Sequence, residues 1–401
     1  MTGPRVDRAL LVVAAGVAAA LHVGKLPTAL PVLREALGVS LVEAGFLLSL
    51  VQFAGMLLGV AVGSVADGLG LKRTMVFGLV LLAGASALGA LAQSASMLMV
   101  LRALEGLGFL LASMPAPSLI RRLVDPGRVN AALGMWGAYM PLGTAIALLA
   151  GPPAMDWIGW RGWWLLLAAI AAAAAAVLWY SLPPDPTRDE RSPPNAMTAR
   201  LRGTLKARGP WLVALSFCVY SAQWLSVIGF LPTVYAQAGF AATRAGAATA
   251  LAALVNMVGN ISAGRLLQRG ASAPVLLVTG FVAMAAGALI SFSAAPALLR
   301  YAGVLAFSMV GGLVPGTLFS LAVRIAPSDD NVSTTVGWMQ QWSAFGQFAG
   351  PPLVAWVASR AGGWQWSGVV TGAFALAGVL FAGVIARALG GRTGRISSRS
   401  S

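Results

Sequence analysis

Stretches of about 20 apolar residues, each closed by a short polar break, follow one another along almost the whole chain, and twelve can be counted. The first six run over residues 9–33, 41–66, 74–94, 97–120, 130–154 and 163–182. A polar segment, PPDPTRDERSPPNAMTARLRGTLKARGP at 183–210, then interrupts the pattern; its prolines and charges cannot be satisfied in hydrocarbon, so it marks a boundary. The second six run over 211–236, 245–267, 274–294, 298–323, 333–358 and 366–386. The pattern predicts an all-α integral membrane protein of twelve transmembrane helices. They form two pseudo-symmetric six-helix bundles, residues 1–182 and 211–386, with a central loop at 183–210 and a tail at 387–401.

The two halves repeat each other. Gly24 to Thr28 reads GKLPT and Gly229 to Thr233 reads GFLPT, 205 residues apart. Gly134, Gly143 and Trp163 recur as Gly337, Gly346 and Trp366 at an offset of 203, and Gly63 and Asp67 align with Gly264 and Gln268 at 201. Such steady offsets predict two homologous halves in the same orientation, and parallel halves around a midplane site are a transporter architecture. Pro27 and Pro232 have no N–H to give the carbonyls of Val23 and Ile228. With Gly24 and Gly229 nearby in the same turn, they are expected to kink the first and seventh helices beside a central cavity.

Composition agrees with the pattern and charge gives it a direction. Hydrophobic residues make up 58% of the chain and charged residues 10%, with a mean hydropathy of +0.81, so the solvent is a bilayer. The net charge of +15 lies in short clusters between apolar runs rather than along one face, which excludes a nucleic-acid partner. Placing both termini and the central loop on one side puts 20 of the 27 basic residues there, against Arg34, Arg161, Arg244, Arg300 and Arg360 opposite. The asymmetry makes the termini cytoplasmic. Arg5 and Arg8 ahead of the first apolar run, with Ala18 to Ala20 within it, resemble a secretory signal, but the run reaches Leu33 and is expected to stay as a spanning helix. A single cysteine, Cys218, and a single histidine, His22, exclude an intrachain disulfide and a Cys/His zinc site, and no cofactor is expected.

Three motifs carry a family resemblance. The loop GSVADGLGLKR, from Gly63 to Arg73, resembles the signature loop of the major facilitator superfamily: a glycine, an aspartate four residues on, then Gly70 and the basic pair Lys72 and Arg73. RALEG, from Arg102 to Gly106, resembles the fourth-helix motif, and GAYMPLG, from Gly137 to Gly143, resembles the Gly-Pro motif of the fifth helix. More narrowly, GKLPTALPVL, GWRGWW and MQQWSAFGQFAGPP resemble the cyanate permease and nitroimidazole-transporter-like branch. The chain departs from the superfamily pattern at Gly68, Leu71 and Gln268, where basic, basic and acidic residues are usual. The resemblance implies alternating access, with Gly63, Asp67, Gly70, Lys72 and Arg73 forming a latch in which Asp67 meets the positive start of the eleventh helix near Ser333. The branch resemblance, and the use of 24 arginines against 3 lysines, point to a bacterial inner membrane. A monomer is expected to suffice.

Lys25 breaks the symmetry of the repeat, facing Phe230 at the matching position. An ammonium within a span costs about 2.5–3.5 kcal/mol on insertion scales, so it needs a partner or a wet cavity. Two readings stand: an ion pair with Glu105, or a fixed charge that attracts an anionic substrate, with His22 one turn away adding a proton-dependent charge. Arg102 and Glu105, three residues apart, can neutralise each other; the family motif implies instead a role in substrate binding or proton coupling. Glu105 is the acidic residue placed well inside a span, which makes it the candidate for coupling to protons. Among the remaining polar and aromatic positions, Tyr139, Trp224, Asn256, Gln340 and Gln341 are expected to line the cavity with donors, acceptors and ring faces. Trp157, Trp160, Trp163, Trp164, Trp364 and Trp366 are assigned to the interfacial belt.

The expected function is a secondary transporter that moves a small organic anion. A drug or metabolite exporter, with Lys25 structural, is the second reading, and a transport-like receptor without flux the third. No convergent nucleophile, base or metal set suggests an enzyme.

Overall fold

The computed structural model describes residues 8–59, 61, 70–125, 129–185, 196–328 and 331–397. Among the described residues every regular element is a helix, as a membrane demands: in hydrocarbon each backbone N–H and C=O must be satisfied within its own helix. Among the described residues ten helices are long and apolar enough to cross a bilayer. They are α1 (Arg8–Leu37), α2 (Leu41–Gly59), α3 (Leu71–Gly89), α4 (Ala95–Ser113), which is continued by α5 (Ala116–Leu123), and the run of α6 (Val129–Gly137) into α7 (Tyr139–Ser181). After α8 (Ala196–Lys206) come α9 (Arg208–Gln237), α10 (Ala242–Gln268), α11 (Ala273–Ser291), α12 (Ala297–Gly311) continued by α13 (Leu313–Ile325), and, after α14 (Val332–Ala361), α15 (Ser367–Ser397).

The difference between ten and the twelve expected spans has two causes. At 43 residues α7 would be about 65 Å long, roughly twice the hydrocarbon thickness, so it cannot be one span. Its backbone breaks at Gly159, with φ 68° and ψ 171°, a conformation that glycine adopts without a Cβ penalty. The fifth and sixth spans therefore lie on either side of Gly159. The eleventh span is α14, whose 30 residues are long enough but whose glutamines and serines lower its mean hydropathy. Two expectations need correction. The central loop contains a helix, α8, and the tail expected from residue 387 continues α15 as far as Ser397.

Local chemistry sets the helix ends. Ser40 and Glu43 form a capping box at the start of α2, and Ser94 caps α4. Gly70 precedes α3 at φ 97° and offers no side-chain cap; the carboxylate of Asp185, beyond the end of the sixth span, accepts from the N–H groups of Lys72 and Arg73 at 3.0 Å each. An anion at a helix N-terminus is favoured by the helix dipole. Pro27 and Pro31 lie inside α1 and Pro232 inside α9, and both helices run on across them.

Packing divides the chain into two units, residues 1–192 with 228–254 and 351–355, and residues 193–227 with 255–350 and 356–401. In the first, α1 packs against the fifth span, and α3 against α4 and the sixth. Gly24 and Gly143 allow this: a Cβ on Gly24 would collide with the Thr144 backbone, and one on Gly143 with the Val17 carbonyl. Gly24 thus serves close helix contact rather than only loosening a kink. In the second unit a Cβ on Gly346 would collide with the carbonyl of Cys218 in α9. Gly143 and Gly346 are the repeat pair at offset 203, so each half closes its fifth helix on its first through the same glycine.

Candidate functional site

The charged side chains expected inside the spans converge on one point of the first unit. Glu105 sits on the buried face of α4, one turn from Arg102, so both point the same way. Each oxygen of its carboxylate has its own cation: Oε1 accepts from Lys25 Nζ at 2.5 Å and Oε2 from Arg102 Nη1 at 2.5 Å. The same Nη1 donates to the His22 carbonyl at 2.6 Å, and Arg102 Nε to the Leu47 carbonyl at 3.3 Å, so one guanidinium ties α1, α2 and α4 together.

Lys25 completes the cluster. Its ammonium donates to Ser86 Oγ at 2.9 Å, lies 3.3 Å from His22 Nδ1 and sits 4.5 Å above the Trp164 ring. Ser86 in turn donates to the Trp164 carbonyl at 3.1 Å. An ammonium has only hydrogens to offer, so its bond to Nδ1 makes that nitrogen the acceptor and leaves the imidazole proton on Nε2. His22 and Lys25 are 0% exposed, Arg102 and Glu105 1%. Two donors in this dry setting find no protein acceptor: His22 Nε2 and Arg102 Nη2. With the imidazole neutral, two cations face one carboxylate and the cluster carries a formal charge of +1.

The second unit holds an uncharged network around Ser308. Asn256 Nδ2 donates to the Ser308 carbonyl at 2.8 Å and to the Tyr220 hydroxyl at 3.0 Å, and Trp224 Nε1 donates to Ser308 Oγ at 3.3 Å. Ser221 of α9 and Ser343 of α14 share a bond of 2.7 Å. Asn256 and Trp224 thus bond to the same residue, Ser308.

Other expected residues fall elsewhere. Tyr139 stacks on Trp136, with ring centroids 4.0 Å apart, against α1 at Gly16, away from the cluster. Gln340 is exposed on α14 and Gln341 half-buried. Gly63 and Asp67 lie outside the described residues, as does the side chain of Ser333, so of the residues expected to form a latch only Gly70, Lys72 and Arg73 are described. There Lys72 is buried: Nζ donates to the Leu182 carbonyl at 2.6 Å and lies 5.2 Å from the Trp179 ring, which fastens α3 to the end of the sixth span. The belt assignment fails for three tryptophans. Trp160, Trp163 and Trp164 are buried, at 6, 3 and 0% exposure, because the backbone reversal at Gly159 turns the start of the sixth span inward; Trp157 and Trp366 do face outward.

The sequence reading overlooked Ser86, Ser308 and Asp185, and placed Trp164 in the interfacial belt rather than beside Lys25. Serines are common in spans, and a tryptophan near a span end has the ordinary reading of an interfacial anchor. The offset of 203 could have found Ser308, because it leads there from Glu105.

Comparison with known proteins places these features in context. The sequence profile of the Major Facilitator Superfamily matches residues 10–351. The 2-nitroimidazole transporter of Escherichia coli is 25% identical over 256 residues, 63% of this chain and 60% of that protein. A puromycin resistance protein of Streptomyces alboniger is 35% identical over 137 residues, and a tetracenomycin C resistance and export protein of Streptomyces glaucescens 30% over 158. These alignments cover 33 and 38% of this chain but only 27 and 28% of those two proteins. Among solved structures, a bacterial homologue of the human lysosomal transporter Spinster, inward-facing and occupied, superposes with a TM-score of 0.80 at 15% identity. The match covers 96% of this chain and 98% of that one, a likeness of fold.

Proposed function

Because the chain belongs to the major facilitator superfamily, we propose that it is a secondary transporter that moves a small organic anion by alternating access. It would work as a multi-pass protein of a bacterial cell membrane with both termini in the cytoplasm. The observation behind the anion is the unbalanced cluster: two buried cations on one carboxylate, with Arg102 Nη2 and His22 Nε2 lacking acceptors. A buried donor without an acceptor costs about 1–3 kcal/mol, and a carboxylate or nitrate oxygen would relieve that cost and the excess charge together. Lys25 therefore does not act as a lone charge. It shares Glu105 with Arg102, and the acceptor-seeking groups are its neighbours. Gating by Asp67 and the kinks at Gly24, Pro27, Gly229 and Pro232 belong to the same reading.

Export of a neutral or cationic drug or metabolite is the second reading, supported by the likeness to resistance, export and nitroimidazole-transport proteins and by the pairing of Lys25. Thermal stability of the purified protein with formate, nitrate and benzoate, against formamide and benzamide, separates the two. Stabilisation by the anions that is lost in Arg102→Gln supports the anion. Stabilisation by benzamide alone would transfer the case to the exporter.

A further inference from the structure

The helix α8 (Ala196–Lys206) takes no part in the site described above, yet it is seated firmly in the second unit. Asn331, the residue ahead of α14, donates from Nδ2 to the Arg200 carbonyl at 2.8 Å and to Thr204 Oγ1 at 3.0 Å. Gly203 leaves room for that contact, since a Cβ there would come to 3.0 Å from Asn331 Nδ2. Trp211, in the first turn of α9, donates from its indole to the Leu205 carbonyl at 2.9 Å and packs edge-on against Trp338 of α14 at 5.0 Å. A single residue, Ala207, separates α8 from α9. The helix is therefore held between the starts of two spans, at the surface of the bilayer rather than on a tether in solvent.

Its seated face is neutral and its free face basic. Thr204 is buried, with Leu201 and Gly203 half-buried, whereas Arg200, Arg202 and Lys206 are exposed. Arg202 and Lys206 stand four residues apart and so share one face, where Leu205 is 37% exposed beside them. Arg208 follows, also exposed, at the start of α9. Among the described residues none of these four cations pairs with a carboxylate; the ion pairs all lie in the Glu105 cluster. The sequence offers few counter-charges: the second unit has thirteen basic residues, and its acidic residues are Asp329 and Asp330. The helix dipole accounts for a cation in the last turn, such as Lys206, but not for Arg202 beside it.

We infer that α8 is a dock for anionic phospholipid: its free face binds headgroup phosphates of the adjoining leaflet and, through Asn331, steadies the start of α14. In the orientation proposed above that leaflet is the cytoplasmic one. Charge complementarity names the occupant. Exposed guanidinium and ammonium groups at a bilayer surface find acceptors in phosphate oxygens, and a guanidinium can take two at once. Leu205 adds apolar contact at the acyl boundary beneath the headgroups, as in other interfacial helices. Setting the sidedness of a membrane protein needs only basic residues near the span ends. It does not need them gathered on one face of a helix seated by Asn331, Gly203 and Trp211.

The test is amide hydrogen exchange of the full-length protein in nanodiscs of phosphatidylcholine alone or mixed with phosphatidylglycerol. Both leaflets of a disc are alike, so the outcome is independent of which side α8 faces, and independent of the anion site. Phosphatidylglycerol should slow exchange across residues 196–207 and in the first turn of α14, by up to about fivefold for each of Arg202 and Lys206. High salt should abolish the slowing in the wild type. Arg202→Gln/Lys206→Gln should lose it, while Arg121→Gln/Arg122→Gln, which takes two charges from the end of α5, should keep it. Inorganic phosphate added to phosphatidylcholine discs should not reproduce it. Equal exchange in the two lipids would overturn the inference. So would a slowing that resists salt, survives in Arg202→Gln/Lys206→Gln, is lost alike in both variants or is produced by inorganic phosphate. The wild-type comparison, with and without salt, decides the matter even if a variant does not fold.

Discussion

Glu105 in α4 and Ser308 in α12 stand 203 residues apart, the offset that relates the two halves, and each is the centre of its half's buried polar network. The carboxylate of Glu105 gathers Lys25 and Arg102; the hydroxyl and carbonyl of Ser308 gather Trp224 and Asn256. The same contrast appears on the paired first helices, where Lys25 and Phe230 are both 0% exposed. One scaffold has thus been filled in two ways, charged and neutral. Buried charges cost several kcal/mol each unless paired, while neutral hydrogen bonds settle at about 1 kcal/mol apiece. The first half therefore keeps its charges at a cost that the second half shows is unnecessary for folding. A solute that carries charge would use them.

The sharpest way to break the contrast is to remove its two centres in turn. Glu105→Ala leaves two cations buried without a counter-charge and should destabilise the protein by about 3–5 kcal/mol. Ser308→Ala keeps its carbonyl for Asn256 and loses only the indole bond, so it should cost about 1 kcal/mol. Unfolding in detergent gives both values; equal losses would mean that the charged cluster is no more than packing.

A mutant cycle comes next in size. Lys25→Met and Glu105→Gln should couple by about 1–3 kcal/mol, because the single Glu105→Gln variant strands Lys25 while the double variant leaves the formal charge at +1 on Arg102 alone. Additive losses would show that the two do not share the bond at 2.5 Å in the membrane.

Arg102→Lys should lower benzoate affinity about tenfold while shifting stability less, since a lysine cannot serve Glu105, the His22 carbonyl, the Leu47 carbonyl and an anion from one planar fork. An unchanged affinity would move the anion elsewhere. The smallest effect belongs to Tyr220→Phe, which removes one hydroxyl from Asn256 and should cost about 0.5–1.5 kcal/mol with no change in benzoate binding.

Much of the fold was legible because a bilayer reduces the choices to one: long apolar runs must be helices, and lipid thickness sets their length. The break expected between the fifth and sixth spans, at residues 155–162, holds Gly159, where the chain reverses between Asp156 and Arg161. The helix α8 was hidden by its own charges, which read as loop. Of the site, Lys25, Arg102, Glu105 and His22 stood out because charge inside a span needs a reason, and all four meet. Their partners Ser86 and Trp164 gave no such signal; a hydroxyl costs little in a span, and an indole is ordinary near its end. Gln340 is exposed on α14, as an amide within a span can be where it meets water.

The most direct measurement is solute flux in proteoliposomes with Arg102→Gln, which removes the guanidinium donor without an acceptor and the cluster's excess charge while leaving the Lys25–Glu105 pair in place. The account predicts saturable uptake of labelled benzoate by the wild type and none by this variant. An Arg102→Gln variant that moves benzoate at the wild-type rate, or a wild type that moves benzamide and excludes benzoate, would contradict it.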